Sequence, residues 1–160
     1  MMLSESLIDA KLNETPISVM VFQDETAAEI DVSKTDFNSV QFIGCRFESC
    51  DFSRANFYTP IFKNCDFSNC NFSKSYWRGA VIHSCKGAGS NFGQAYFKDT
   101  RMEESSLPYA NFVNTTWTGC ALSDCNLREA FLSEVKPGKL KLNRVDFTRA
   151  DFYKTPLKGI

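Results

Sequence analysis

The sequence predicts an all-β parallel solenoid, a chain wound into stacked coils with one short extended side for every five residues. The first observation behind this is a comb of large apolar residues. Between Asp36 and Phe72 it reads Phe37, Phe42, Phe47, Phe52, Phe57, Phe62, Phe67 and Phe72. In the same phase it runs on through Trp77, Ile82, Phe92, Phe97, Met102, Leu107, Phe112, Trp117, Leu122, Leu127, Leu132, Leu142, Phe147, Phe152 and Leu157. Of the 15 phenylalanines only Phe131 lies outside this class. The second observation is that all 7 cysteines stand two residues before a comb position, a slot that otherwise holds mostly small residues such as Ala55, Ser75, Ala95 and Thr115. The third is the step itself. An α-helix would rotate a five-residue comb by about 140° per step and scatter it around the surface. A flat strand would send successive members to opposite faces. A coil whose sides each turn one large and one small residue inward buries both, and parallel stacking at about 4.8 Å pairs the backbones.

Composition is compatible with one soluble domain: 160 residues, 43% hydrophobic and 23% charged. No apolar run reaches the roughly 18 residues of a membrane span. The N-terminus, MMLSESLIDAK, has acids where a secretory signal has a basic region, so a cytoplasmic location is expected. An odd cysteine count in that compartment argues for buried free thiols acting as small hydrophobes, without a disulfide framework.

In chain order, residues 1–29 carry six acidic residues against one basic and only a faint phase at Leu7, Leu12, Ile17 and Phe22. They are expected to form a degenerate first coil or a cap over the open end of the stack. From Ile30 the pattern becomes a small residue, often Asp or Asn, the large apolar residue, then two mostly polar ones. The blocks CDFSR ANFYT, CDFSN CNFSK, YANFV and RADFY resemble the A(D/N)LXX signature of the pentapeptide-repeat family, over roughly residues 30–160. The resemblance implies a right-handed quadrilateral parallel β-helix with four pentapeptides per coil. Six to seven coils would make a rod roughly 30 Å long.

With that geometry, residues twenty apart stack in columns. Phe37, Phe57, Trp77, Phe97 and Trp117 form one core ladder, and Phe52, Phe72, Phe92, Phe112, Leu132 and Phe152 another. Two places break the comb. At Gly87, within KGAGS, a distorted side is expected. At Pro137 a protruding basic loop, Lys136, Pro137, Gly138 and Lys139, is expected, with Leu140, Leu142 and Val145 resuming the inward pattern. The sequence ends on Leu157, Lys158, Gly159, Ile160 in mid-coil, so either further residues or another chain is expected to cover that end.

The sequence offers little catalytic chemistry. Cys45, Cys65 and Cys85 would stack, with Cys125 beyond, but the CxxxxC spacing turns neighbours onto adjacent sides and supplies no converging zinc ligands. The sole histidine, His83, should point outward, and no nucleophile and base pair is apparent. Neither a dinucleotide fingerprint nor a phosphate loop is present. Glu103 and Glu104 read as solvated. We expect a non-enzyme with no cofactor, no metal and no small-molecule substrate.

The outward slots on the Trp77 side hold Tyr58, Tyr76, Arg78, Tyr96 and Lys98, a candidate partner surface since tyrosine and arginine are favoured at interfaces. The bland alternative is that these long side chains only shield the ladder edges. Asn71, Asn91 and Asn111, between Asp51 and Asp151, read as turn-stabilising. Phe131 should point outward, under the basic loop or at a contact.

Within the family, the Phe- and Cys-rich repeats look most like the Qnr-type quinolone-resistance proteins. That resemblance implies a DNA-mimicking binder and protector of DNA gyrase and topoisomerase IV, dimeric through the C-terminal end. Charge opposes it: the net charge is −1, and the sequence is polarised along its length, with residues 1–30 acidic and 121–160 basic. Lys34, Arg54 and Lys74 also stand near the Asp51 column. The alternative is a scaffold binding another protein through the Tyr/Arg face. A third reading, direct nucleic-acid binding, rests on eight basic against five acidic residues in 121–160, a weak footprint.

Overall fold

The computed structural model describes residues 1–158; Gly159 and Ile160, on which the expectation of an uncovered end partly falls, lie outside the described residues. The chain opens with one helix, α1 (Leu3–Asn13). Leu3, Leu7 and Ala10 recur at the four- and three-residue steps that put side chains on one helix face, and all three are buried. That face closes the first coil. The Leu3 N–H donates to Glu25 Oε1 at 2.7 Å, and Lys11 Nζ donates to the Ser33 carbonyl at 2.8 Å. Glu14 ends the helix in the left-handed region, φ 53°. Leu12 is 78% exposed, so the five-residue phase starts at Ile17, which is buried.

From Ile17 the chain is a right-handed quadrilateral parallel β-helix with a twenty-residue register: Phe37 pairs with Phe57, Phe57 with Trp77, Trp77 with Phe97, and Phe97 with Trp117. The Trp77 side and the Ile82 side are each a seven-stranded parallel sheet. The other two sides are held mostly by single bridges, such as Asp51 to Asn71 and Asn71 to Asn91. The difference is written in the residue before the comb. On the Phe92 side, the Oδ1 atoms of Asp51, Asn71, Asn91 and Asn111 each accept the backbone N–H two residues on, at 2.9 Å. This Asx turn bends the backbone where the sheet sides stay extended. The asparagine column is thus turn chemistry.

The core is a set of ring stacks imposed by the backbone repeat. Phe52 and Phe72 lie 4.9 Å apart at 6°, Phe72 and Phe92 5.0 Å at 6°, and Phe92 and Phe112 5.1 Å at 3°. Between columns the rings meet edge to face or tilted, as for Phe47 and Phe52 at 81° and Phe52 and Phe57 at 46°, and the edge-to-face pairs are an arrangement the ring quadrupole favours. Each tryptophan needs a partner for its buried N–H. Trp77 Nε1 donates to Ser75 Oγ at 2.8 Å and Trp117 Nε1 to Thr115 Oγ1 at 3.0 Å, so a hydroxyl two residues earlier accompanies each indole.

The small inward slot has its own rule. Cys45, Cys65, Cys85 and Cys125 each donate their thiol to the carbonyl of the comb residue 23 positions earlier, Phe22, Phe42, Phe62 and Met102. Ser90 does the same toward Phe67, at 2.9 Å. All 7 cysteines are free and buried.

Both expected breaks are absent. At Gly87 the bridges to Asp66 and Ser106 continue without distortion, because Lys86 keeps the register on both sides. Phe67 and Leu107 fill the vacated space: a Cβ on Gly87 would meet Phe67 Cε1 at 2.5 Å and Leu107 Cδ2 at 3.0 Å. At Pro137 no loop protrudes. Lys136–Gly138 is a strand, in register with Thr116, Trp117 and Thr118. Proline fits because the ladder back to the preceding coil runs through Lys136 N–H to the Thr115 carbonyl (2.9 Å) and Gly119 N–H to the Gly138 carbonyl (3.1 Å). Neither bond requires a proline N–H. Leu140, Leu142 and Val145 do resume the inward pattern, half-buried. Phe131 points outward, 48% exposed, but with no loop above it.

Candidate functional site

The outer surface of the Trp77 side is built by its strands. In a three-residue strand the central residue faces the core and its neighbours face out. Tyr76 and Arg78 therefore flank buried Trp77, and Tyr96 and Lys98 flank buried Phe97. The ladder register puts Tyr96 beside Tyr76, and Lys98 beside Arg78, with Tyr58 next above Arg78. The rings close up accordingly: Tyr76 and Tyr96 stack at 5.5 Å and 20°, and Tyr58 and Tyr76 meet at 6.0 Å and 41°. All five predicted surface residues are brought together. Tyr58 and Tyr96 remain 38% and 39% exposed, so their edges and hydroxyls face solvent. Tyr96 Oη also lies 3.2 Å from Thr118 Oγ1, one coil below.

Sequence reasoning missed the lower extension of this surface. Because Lys136–Gly138 is a strand, Lys136 falls below Thr116 on the same side as the tyrosines. Lys139 occupies the following corner with φ 53°. The signal was present: Lys136 sits in the outward slot, one residue before the comb, that holds Tyr96 and Tyr76 two and three coils earlier.

Elsewhere the predicted chemistry stays dispersed. His83 points outward, but it lies between Glu103 and Glu104: Nδ1 is 3.7 Å from Glu103 Oε1 and Nε2 is 3.4 Å from Glu104 Oε2. The two ring nitrogens face different carboxylates. Among the described residues no three His, Cys, Asp or Glu side chains converge to hold a metal ion. Burial pushes the Cys70 thiol up to about 12 and raises Cys50, Cys120 and Cys125, which makes them poor nucleophiles near neutrality. The neighbouring Cys65 side chain lowers Cys85, whose thiol is nonetheless enclosed in the core. No helix among the described residues is long and apolar enough to cross a membrane.

A family model described as the pentapeptide repeat region matches residues 35–112 and 55–132, together more than half of the chain. Among curated proteins there is no match. Among solved structures, the chain is similar to a trypsin-treated variant of QnrB1, described as a plasmid-mediated fluoroquinolone resistance protein. The identity is 20%, over 91% of this chain and 88% of that chain, with a TM-score of 0.47. It is also similar to Rfr23, a pentapeptide repeat protein from the cyanobacterium Cyanothece 51142, at 11% identity over 92% and 98% of the two chains, TM-score 0.42. A third is HetL from Nostoc sp. strain PCC 7120, described as involved in heterocyst differentiation regulation, at 15% identity over 89% of each chain, TM-score 0.28.

Proposed function

The chain belongs to the pentapeptide-repeat family, and we propose that it acts as a non-enzymatic, cytoplasmic protein-interaction module that presents the tyrosine stripe of its Trp77 side to a protein partner. The observation that carries this reading is the packed row of Tyr58, Tyr76 and Tyr96, held by ring contacts of 5.5 and 6.0 Å yet open to solvent at both ends. Tyrosines already ordered by their neighbours lose little rotamer freedom on binding and bring large contact area, which is the property of interface anchors. Replacing Tyr58 and Tyr96 together by Ser tests it. The variant should keep the fold, since neither ring enters the core, and should lose a partner that wild-type protein retains in a pull-down. Replacement of Asn91 on the Phe92 side should leave capture intact. Equal retention by the Tyr58 and Tyr96 variant would remove this side from the interface.

A second reading is protection of DNA gyrase or topoisomerase IV from fluoroquinolones by imitation of DNA, as a homodimer joined at the C-terminal end. The likeness of the Phe- and Cys-rich repeats to Qnr-type proteins supports it. The outer columns oppose the mimicry: the column containing Asp51 and Asp151 is interrupted by Asn71, Asn91, Asn111 and Phe131. A DNA mimic needs stripes of negative charge. Supercoiling by purified gyrase with ciprofloxacin present separates the readings. Rescue at low doses with inhibition at high doses supports topoisomerase binding, and no effect from folded protein removes it.

A further inference from the structure

The column of Tyr76 and Tyr96 lies between two columns that carry positive charge, the second of them also holding Tyr58. Lys74 and Arg78 stand two residues before and two after Tyr76, on opposite edges of the same side. Arg54 continues the first edge one coil above Lys74, and Lys98 continues the second one coil below Arg78. Lys136 and Lys139 extend the positive charge below them. None of these six cations makes an ion pair among the described residues. On the other sides Arg46, Arg128, Arg144 and Arg149 each hold a carboxylate within 3.6 Å. Lys63, Lys86, Arg101 and Lys141 are unpaired there among the described residues but have no tyrosine column beside them.

From the geometry we infer that the partner segment received here is an acidic stretch of polypeptide, extended along the solenoid axis over the tyrosine edges. This inference rests on the interaction reading of the same side. Arg54 to Lys74 and Arg78 to Lys98 are each one ladder step, about 4.8 Å. Lys136 follows in the Tyr76 and Tyr96 column, beside Glu134 and past Thr116, where this side has no cation. Arg54 to Lys136 therefore covers roughly 19 Å, the reach of about six extended residues. Carboxylates on such a segment would meet cations at either edge, while the tyrosine hydroxyls supply donors between them. The site is a flat strip, which suits a single narrow chain.

Nucleic acid fits less well. Stacking of bases needs free aromatic faces, and here Tyr76 and Tyr96 each give one face to the other, while Tyr58 crowds Tyr76 from above. A duplex would also overlap the neighbouring Ile82 side, where Glu103 and Glu104 would repel its phosphates.

The test is fluorescence anisotropy at low salt with a fluorescein-labelled Glu-Thr repeat peptide of about ten residues, long enough to cover the strip. The full chain should bind it, with affinity falling as salt rises. Arg78→Glu combined with Lys98→Glu should weaken binding by about tenfold or more, and Lys74→Glu combined with Lys136→Glu should do likewise. As a control, Lys63→Glu combined with Lys86→Glu makes the same charge change on the Ile82 and Gly87 sides and should leave binding within about twofold of wild type. Far-UV circular dichroism confirms that each variant is folded. Absence of peptide binding, or equal binding by the reversed pairs, overturns the inference. Tighter binding of an oligothymidine of equal length, lost on reversal, would overturn it in favour of single-stranded nucleic acid. If the peptide fails while the Tyr58 and Tyr96 variant still loses its protein partner, the acidic segment is wrong and the interaction surface stands. If the tyrosine variant keeps its partner, the interaction reading itself falls.

Discussion

The coils around Phe72 and the coil that contains Phe147 and Phe152 use one repeat and hold it by different forces. In the central coils Phe52, Phe72, Phe92 and Phe112 are fully enclosed, Phe72 and Phe92 with a stacked ring on both faces and the run bounded by Val32 and Leu132 at its ends. In the last full coil Leu142, Val145, Phe147 and Phe152 are only half-buried, above an apolar cavity of about 270 Å³ that Trp117 and Leu122 also line. There the surface takes over. Arg144 grips Asp124 with two nitrogens, Arg128 reaches Asp146 at 3.3 Å, and Arg149 reaches Glu129 at 3.6 Å, each pair joining that coil to the one before. A solenoid can propagate its register by packing or by cross-coil charge, but packing carries the larger free energy.

That contrast predicts the size of a truncation at each place. Phe72→Ala should cost about 3–5 kcal/mol, the range for emptying a fully packed aromatic site. Phe152→Ala should cost well under half of that, since part of its ring already meets solvent. Urea denaturation of both variants checks this, and equal losses would mean that the last coil is packed as tightly as the centre. Gly87 sharpens the picture from the other direction. Gly87→Ala places a methyl against Phe67 and Leu107 in the central stack, and overpacking of this kind should cost about 1–3 kcal/mol in the same measurement. A neutral result would show that Phe67 withdraws freely and that the central packing is softer than its ring geometry implies.

The comb made the architecture readable because every side repeats one demand, a large residue in and a small one before it. Where that demand is met by compensation between coils, the sequence misleads. Gly87 looked like a defect because its fillers, Phe67 and Leu107, belong to other coils. Pro137 looked like a loop because proline is a turn residue in isolation, whereas here the bonds to the preceding coil bypass its nitrogen. The candidate surface was legible as far as Tyr58, Tyr76, Arg78, Tyr96 and Lys98, since column membership follows from counting by twenty. Its lower cations were hidden by the same mistaken loop. The Arg144 pair with Asp124 was also countable, being twenty residues apart, yet counting gives adjacency and not the rotamers that let guanidinium and carboxylate meet.

The charge staples can be broken without touching the core. Arg144→Met keeps an apolar stem and removes the pair with Asp124. The midpoint of global urea unfolding should stay where it is, while hydrogen exchange of residues 141–157 becomes faster than in wild type and residues 52–112 are unchanged. Faster exchange throughout would mean that the last coil and the centre open as one unit.

Acid should act in the same place and less strongly still. The hydrogen bond from Arg144 holds Asp124 below the usual carboxylate range, the hydrogen bond from Tyr109 and the Arg149 charge do so for Glu129, and the Thr148 hydroxyl and N–H with Arg128 do so for Asp146. A carboxylate whose folded pKa is depressed binds protons more readily in the unfolded chain. Its contribution to stability is therefore complete above the ordinary range of about 3.9–4.3 and is lost as pH falls through the lower folded value. All three groups lie on the exposed surface, so salt and solvent screen the effect. Exchange protection corrected for intrinsic rates should consequently be flat from neutral pH down to the ordinary carboxylate range, then decline below it in residues 141–157 before residues 52–112. The Phe52 to Phe112 ladder contains no titrating group, so its protection should outlast that of the stapled coil. A decline that begins in the central coils would reverse the assignment of charge to one region and packing to the other.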